Sequence, residues 1–460
     1  MNQSDPAGAD VSYPDAIVVL GAMFAGRYPQ LFPAAADRGL QVLGVDGPSP
    51  FTEKVDAARR ADPNHPLAAI DELAWIDGDA HEEVIEQILG WGRHYRIRGV
   101  LAFGESFVEA AGLVTDLLGL PSPGLRASRV CRNKHLQRRY LAPWSPRSAL
   151  VGLGGPALLQ GPTNWSVFPA VLKPVGREAS SGVQRVDGPD ALARALADYE
   201  PGEALLLEEL VAGHEVSVET LVQGGRVLFS SITGKLTTEA TSSFFVEMGH
   251  TVPDPELDEA QQAAVSSANT QILDRLRFGD GIAHAEFRVR ADGSVALMEL
   301  AARAPGDSIL TLYQLACGVP MEPALLDIAI GVPASYPRPT RFARQVYYPH
   351  RPGVLLDVAA GQLEVPVTWL PPRWAWPVVT ETIAQTDPGR VRMLVVGRER
   401  GTVLAQIRQS GDRLLMYVID APTVLDLDAL QARCDRAITV RIEPVDGTAS
   451  AAAVLQKAAR

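Results

Sequence analysis

The sequence predicts an α/β fold that passes into an α+β one. An open parallel sheet comes first, a mixed region follows, and a strand-rich C-terminal region closes the chain. Three observations carry this. Short apolar strands alternate with segments of helical spacing before residue 120, the pattern of a parallel sheet with helical crossovers. A hairpin bearing two glutamates sits among mixed strands and helices in the middle. After about Pro333, strand-like segments rich in Pro and Trp dominate.

In chain order, AIVVLG (16–21) is an apolar strand, and AMFAGRYPQLFPAAADRG after it has helical spacing. QVLGVD (41–46) is a second strand ending in an acid, and an amphipathic helix, HEEVIEQILGWGRHY, precedes the strand GVLAF (99–103). Gly21 and Gly26 follow the first strand without forming GxGxxG, so a dinucleotide site is poorly supported. Glu105 falls at the carboxyl edge where such sheets bind ligands, although an acid at a helix N-terminus is favoured there for its own sake. The linker-like LPSPGLRAS (120–128) leads to a helix at about 128–142, a glycine turn GLGG (152–155), and the strands VFPAVLKPV (167–175) and EALLLEELV (203–211). A mobile-looking stretch, GKLTTEATSSFF (234–245), precedes a helix from about Glu256 to Leu276, and helices at 308–317 and 322–330 follow the hairpin. These elements divide the chain into 1–125, an N-terminal α/β domain; 126–335, split into a small lid (126–205) and a larger part (206–335); a β-rich C-terminal domain (336–447); and a tail (448–460).

Composition narrows the function. A net charge of −12 argues against a nucleic-acid partner, which needs basic patches, but leaves room for anionic substrates held by local Lys and Arg. Cys131, Cys317 and Cys434 are odd in number and in no metal-ligand spacing, as expected of reduced thiols in a cytoplasmic protein. The N-terminal MNQSDPAGADVSYPD lacks the regions of a signal peptide and reads as a frayed tail. No apolar stretch approaches the ~18 residues of a membrane span, so no membrane partner is expected.

The chemistry is concentrated in AHAEFRVRADGSVALMELAAR (283–303). If Asp292-Gly293 form a two-residue hairpin loop, Ala291 faces Ser294. Glu286 then lies opposite Glu299 on one face, with Cβ atoms roughly 5 Å apart. Like charges so placed destabilise a sheet unless a cation lies between them. Magnesium suits such oxygens and leaves room for water and phosphate; two exposed carboxylates on a solvated face are the plain alternative. Lys173 ends an apolar strand and precedes GREASSG (176–182), whose small and hydroxyl residues permit close approach to a phosphate. No Walker A motif occurs: Gly234-Lys235 is followed by Leu and lacks the upstream glycine. Lys134, taken alone, reads as a solvated charge. Glu208, Glu209 and Glu215 follow or flank an apolar strand that, if at a sheet edge, could read an adenine through its backbone and a ribose through a carboxylate. Glu247 and His250 could hold an ammonium group or move a proton.

In this order and spacing, Lys134, PAVLKP, GREASSG, LLLEELVAGHE, AHAEF and MELAARAPGD resemble the ATP-grasp superfamily over roughly residues 100–335. The resemblance implies the ATP-grasp fold, with an N-terminal pre-ATP-grasp domain, and ATP with two Mg2+ ions (Mn2+ as the alternative). It implies that Lys134 and Lys173 contact the phosphates and that the loop with Ser180, Ser181 and Gly182 closes over them. Glu208, Glu209 and the backbone through Val211 would take the adenine, and Glu215 the ribose. Glu286 and Glu299 would hold the metals, and Arg303 would face the transferred phosphate and the acyl group. Within the superfamily the chain is similar to L-amino acid ligases of the bacilysin-synthetase kind, chiefly through ITGKLTTEATSSFFVEMGHTVP (232–253). That similarity makes Glu247, His250, Arg303, Gly306 and Asp307 substrate-site candidates.

Two positions depart from the family pattern. Asp307 stands where some relatives carry a bulky aromatic, and an acid there could recognise an amine or a cationic acceptor. Ala301 stands where the family has a metal-binding Asn. Water, or His284 across the hairpin, would fill that coordination, unless His284 merely orients a glutamate. The implied activity is an ATP-dependent carboxylate–amine ligase with small-molecule acid and amine substrates, in which an acyl phosphate gives an amide. Other ATP-grasp chemistry (a carboxylase or phosphotransferase) and a catalytically lost nucleotide-binding protein stay open. Relatives often form dimers, so a homodimer also stays open.

Overall fold

A computed structural model describes residues 13–151, 165–381 and 383–444. The expected glycine turn at 152–155, the tail 448–460 and nearly all of the N-terminal segment lie outside the described residues. The first four strands, β1 (Asp15–Leu20), β2 (Gln41–Asp46), β3 (Glu72–Trp75) and β4 (Arg96–Ala102), form a parallel sheet in the order β3-β2-β1-β4. β1 is apolar and buried along nearly its whole length, as a central strand covered on both faces must be. Its carboxyl end meets that of β4 at Gly21, whose φ is +76°; a Cβ there would lie 2.4 Å from the Gly104 nitrogen. Only glycine permits this crossing, and it brings two loops, 21–28 and 103–105, to one side of the sheet.

A second, antiparallel sheet of four strands runs β5 (Ser148–Val151), β8 (Leu205–Glu209), β6 (Ala170–Pro174), β7 (Gln184–Val186). β8 therefore belongs wholly to the small sheet, and a division at 205/206 cuts through it. It is also an interior strand, paired on both sides, where the sequence reading considered an edge.

The largest sheet has nine strands in the order β13-β12-β9-β10-β11-β14-β19-β17-β16. Its first five are β9 (His214–Gln223), β10 (Arg226–Thr237), β11 (Glu247–Val252), β12 (Gly281–Val289) and β13 (Val295–Ala301). The C-terminal region adds β14 (Phe342–Tyr347), β16 (Val367–Trp369), β17 (Arg390–Val396) and β19 (Leu415–Ala421) to the same sheet. Only β15 (Gly353–Ala359), β18 (Val403–Leu404) and β20 (Thr439–Glu443) form a separate three-stranded sheet. Gly234 and Lys235 lie inside β10, so the stretch that looked mobile begins as strand.

The helix expected at 128–142 is two short helices, Leu125–Cys131 and Lys134–Tyr140. The break falls at Asn133, whose extended backbone and side-chain oxygen cap the Leu136 N–H at 3.0 Å. Asp258 and Gln261 form a reciprocal cap that starts the long helix at Glu259, three residues later than expected. The helices Ile309–Cys317 and Glu322–Ala329 are apolar and mostly buried. No single helix among the described residues is long and apolar enough to cross a membrane.

Candidate active site

The hairpin β12–β13 sets the site. Val289 pairs with Val295 and Phe287 with Leu297, so the loop is Ala291-Asp292-Gly293, one residue longer than expected, with Gly293 at φ +79°. With regular pairing, Glu286 would then face Met298, and Glu299 would point to the opposite side. A bulge between Glu286 and Phe287 takes up one residue of β13 and restores Glu286 opposite Glu299, with His284 opposite Ala301. The expected pairing is correct, but the turn behind it was wrong, and the bulge compensates. Arg138 holds the distortion by donating to the Met298 carbonyl at 2.5 Å. Gln137, fully buried, covers the outer edge of β13: it accepts from the Leu300 N–H and donates to the Leu300 carbonyl, both at 2.9 Å.

Both carboxylates line a cavity of about 400 Å³ between the small and the nine-stranded sheets and the N-terminal loops. Lys134, Lys173, Glu208, Glu209, Val211, Glu215, Glu247, Arg303, Gly306 and Asp307 line it too. Of the closing loop, Ser180 lines it, whereas Ser181 and Gly182 do not. Ala179, Ser180 and Gly182 all have positive φ, and Tyr199 donates to the Gly182 carbonyl at 2.6 Å.

Each expected cation is already engaged. Lys134 is buried, not solvated: its Nζ lies 2.9 Å from Glu299 and donates to the Arg177 carbonyl at 2.7 Å, linking hairpin to loop. Lys173 lies 2.7 Å from Glu208, which Arg138 also clasps. Burial opposes charge on Glu208, but Arg138 and Lys173 outweigh it and hold the carboxyl down to about 2. Burial likewise presses the Lys173 ammonium below its ordinary range, against the pull of Glu208. Glu208 thus positions Lys173 with its carboxylate, which leaves little of it for a base. The Leu210 N–H goes to the Pro169 carbonyl, and the Val211 carbonyl accepts from Arg288 at 2.9 Å. Glu215 is paired with Arg288 at 2.6 Å, and Glu209 lies 3.6 Å from Arg290. Arg303 pairs with Glu105, so the acid beyond β4 does reach the site; burial would raise this carboxyl, but Arg303 and Lys134 keep it below its usual range.

Lys235 and Arg413 were not legible beforehand, whereas for His284 the orienting role was one of the two expected. Lys235 points from β10 into the acids: its Nζ lies 2.6 Å from Glu286 and 3.9 Å from Glu215 and pairs with Glu247. His284 bridges Glu219 at 2.8 Å and Glu286 at 3.2 Å. Although burial disfavours its charge, Glu219 and Glu286 push the imidazole up to about 9. With one nitrogen on Glu219 and the other on Glu286, His284 is placed to orient Glu286. Arg413, from the C-terminal region, grips Asp307 through both terminal nitrogens at 2.7 and 3.0 Å and stacks on Tyr347 at 3.7 Å.

Asp307 also accepts from Tyr347 at 2.8 Å and contacts His250 at 2.9 Å. Burial would raise its carboxyl, but Arg413 and His250 hold it well below its usual range. It is therefore not a free acid awaiting a cationic acceptor. His250 is buried behind Asp307 and does not line the cavity, whereas Glu247 does.

The donor set suits a hard divalent cation. Glu286 and Glu299 offer oxygens from one face, and Lys235 and Lys134 now compensate them.

Residues 166–312 match the ATP-grasp domain family. The fold is similar to that of an L-amino acid ligase from Bacillus licheniformis, with a TM-score of 0.72 and 18% identity over 94% of this chain and 100% of that one. The chain is 29% identical over 273 residues to the uncharacterized protein y4rH of Sinorhizobium fredii, covering 56% of this chain and 54% of that protein. It is 24% identical over 223 residues to the ATP-grasp enzyme fsqD of Aspergillus fumigatus, covering 46% and 38%. The matches thus span about half of the first relative and under two fifths of the second. The chain contains an ATP-grasp domain and has the ATP-grasp fold.

Proposed function

We propose that the protein is an ATP-dependent carboxylate–amine ligase that forms an amide through an acyl phosphate, with an amino acid among its substrates. One observation carries this: Glu286 and Glu299 oppose each other on a cavity that also receives Lys134, Lys173 and Arg303. Glu286 and Glu299 would hold magnesium, which when bound neutralises charge on a phosphate tail. An oxygen of the acid attacks the γ-phosphorus as its bond to ADP breaks. The amine then attacks the acyl carbon, phosphate leaves, and the nitrogen loses a proton.

The chain's own part is positioning and charge. Lys134 and Lys173 face the phosphates, Lys173 being steadied by Glu208. Arg303, anchored by Glu105, spreads the charge that develops on the transferred group. Loop 176–182 and the segment around Glu247 shield the acyl phosphate from water. The likeness to an L-amino acid ligase favours an amino acid as substrate.

The test is to incubate the protein with ATP, magnesium and each of a panel of amino acids, with hydroxylamine as the amine. A hydroxamate formed together with ADP supports an acyl phosphate. ATP binding without ADP release across the panel would favour a nucleotide binder without turnover, the reading that Ala301 keeps open.

A further inference from the structure

The cations lining the cavity are matched to acids: Lys134 to Glu299, Lys173 to Glu208, Arg177 to Glu203, Arg288 to Glu215, Arg303 to Glu105 and Arg413 to Asp307. One is not. Arg27 lines the same cavity, yet among the described residues it has no ion pair and donates no hydrogen bond. It ends the short helix Phe24–Arg27 that follows β1, on the wall contributed by the N-terminal domain. Its guanidinium carbon lies 5.3 Å from the Trp376 ring and 6.0 Å from that of Phe24. These rings hold the face of the guanidinium and leave its edge, the fork of N–H donors, for a ligand. Nearby, the Tyr28 and Phe103 rings pack at a tilt with centroids 4.9 Å apart and are buried on the same wall.

We infer that Arg27 anchors the free carboxylate of the amine-bearing substrate, which is therefore an amino acid or a peptide rather than a simple amine. The inference rests on the ligase reading above. A planar fork fits a carboxylate through two parallel hydrogen bonds. The acid substrate gives up its reacting carboxylate to phosphorylation at the Glu286–Glu299 end, where Lys134 and Lys173 already face the phosphates. The anion left for Arg27 belongs to the partner that keeps its carboxylate, and the aromatic wall receives that partner's apolar part.

The test compares the twenty standard amino acids with their C-terminal amides as amine substrates, for an acid that gives a hydroxamate. In the natural protein at least one amino acid has a KM well below that of its amide. Arg27→Met should raise the KM of the amino acid by about ten- to a hundredfold, the range for a lost charged hydrogen-bond pair, and that of the amide by far less. Arg27→Lys should recover part of the preference. Equal effects on acid and amide forms, or no amino acid preferred over its amide, would overturn the inference while leaving the ligase reading intact. A larger rise in the KM of the phosphorylated acid, measured with hydroxylamine, would give the anion to the other substrate and also overturn it. Absence of any hydroxamate would instead remove the ligase reading, and this inference with it.

Discussion

Glu286 stands opposite Glu299 because β13 bulges by one residue, and Arg138 holds the bulge through the Met298 carbonyl. The same guanidinium clasps Glu208, which clasps Lys173. One buried arginine thus ties the two-glutamate hairpin to Lys173. Arg138→Met should destabilise the protein by about 3–5 kcal/mol, the usual cost of breaking a buried ion pair from one side. A fall in the urea midpoint checks this, and a midpoint within error of the natural protein would deny the tie.

Glu215, Glu247 and Glu286 present oxygens within metal-binding reach of one another, with the Lys235 ammonium against them. Lys235→Met should leave three acids facing each other and create a cation site. Without nucleotide, the melting temperature of this variant should climb with added magnesium or calcium by several degrees more than that of the natural protein. Parallel responses would show that Lys235 does not offset these charges.

His284 donates to both Glu219 and Glu286. Its loss should loosen Glu286 without removing a ligand, so His284→Gln should weaken magnesium-dependent nucleotide binding by about ten- to a hundredfold, as for other outer partners of a metal ligand. The magnesium requirement itself should survive. Unchanged affinity would deny even the orienting role.

Glu322 offers a test away from the site. It is buried, one carboxyl oxygen has no partner, and burial pushes its pKa up to about 7 despite backbone hydrogen bonds. The unfolded chain releases this proton near 4.5, so between about pH 4.5 and 7 the folded state binds more protons and stability falls as pH rises. The loss should reach about 3 kcal/mol above pH 7, at 1.36 kcal/mol per unit. Glu322→Gln should remove it, so the variant gains on the natural protein as pH rises through this window. Denaturation midpoints at pH 4.5 and 7.5 that move together would refute this.

Much of the fold was legible because it is written in strong local patterns. The apolar runs of β1 and β2, the Asp-Gly turn and the alternation of β12 and β13 each constrain the chain without help from distant residues. What was missed depends on tertiary context. The Asp292-Gly293 turn fits both two- and three-residue loops, and the bulge that settles the register depends on Arg138, 160 residues away. Lys235 looked like part of a mobile stretch because its acids come from β9, β11 and β12. Asp307 looked available because Arg413 lies 106 residues downstream, in a region with no motif of its own.

The most direct measurement is calorimetric titration of ADP into the natural protein and into Glu299→Gln, with magnesium and with chelator. The opposed carboxylates should make the natural protein bind ADP more tightly with magnesium, and Glu299→Gln should lose most of that gain while still binding metal-free ADP. The same magnesium gain in both proteins would contradict the role assigned to the Glu286–Glu299 pair.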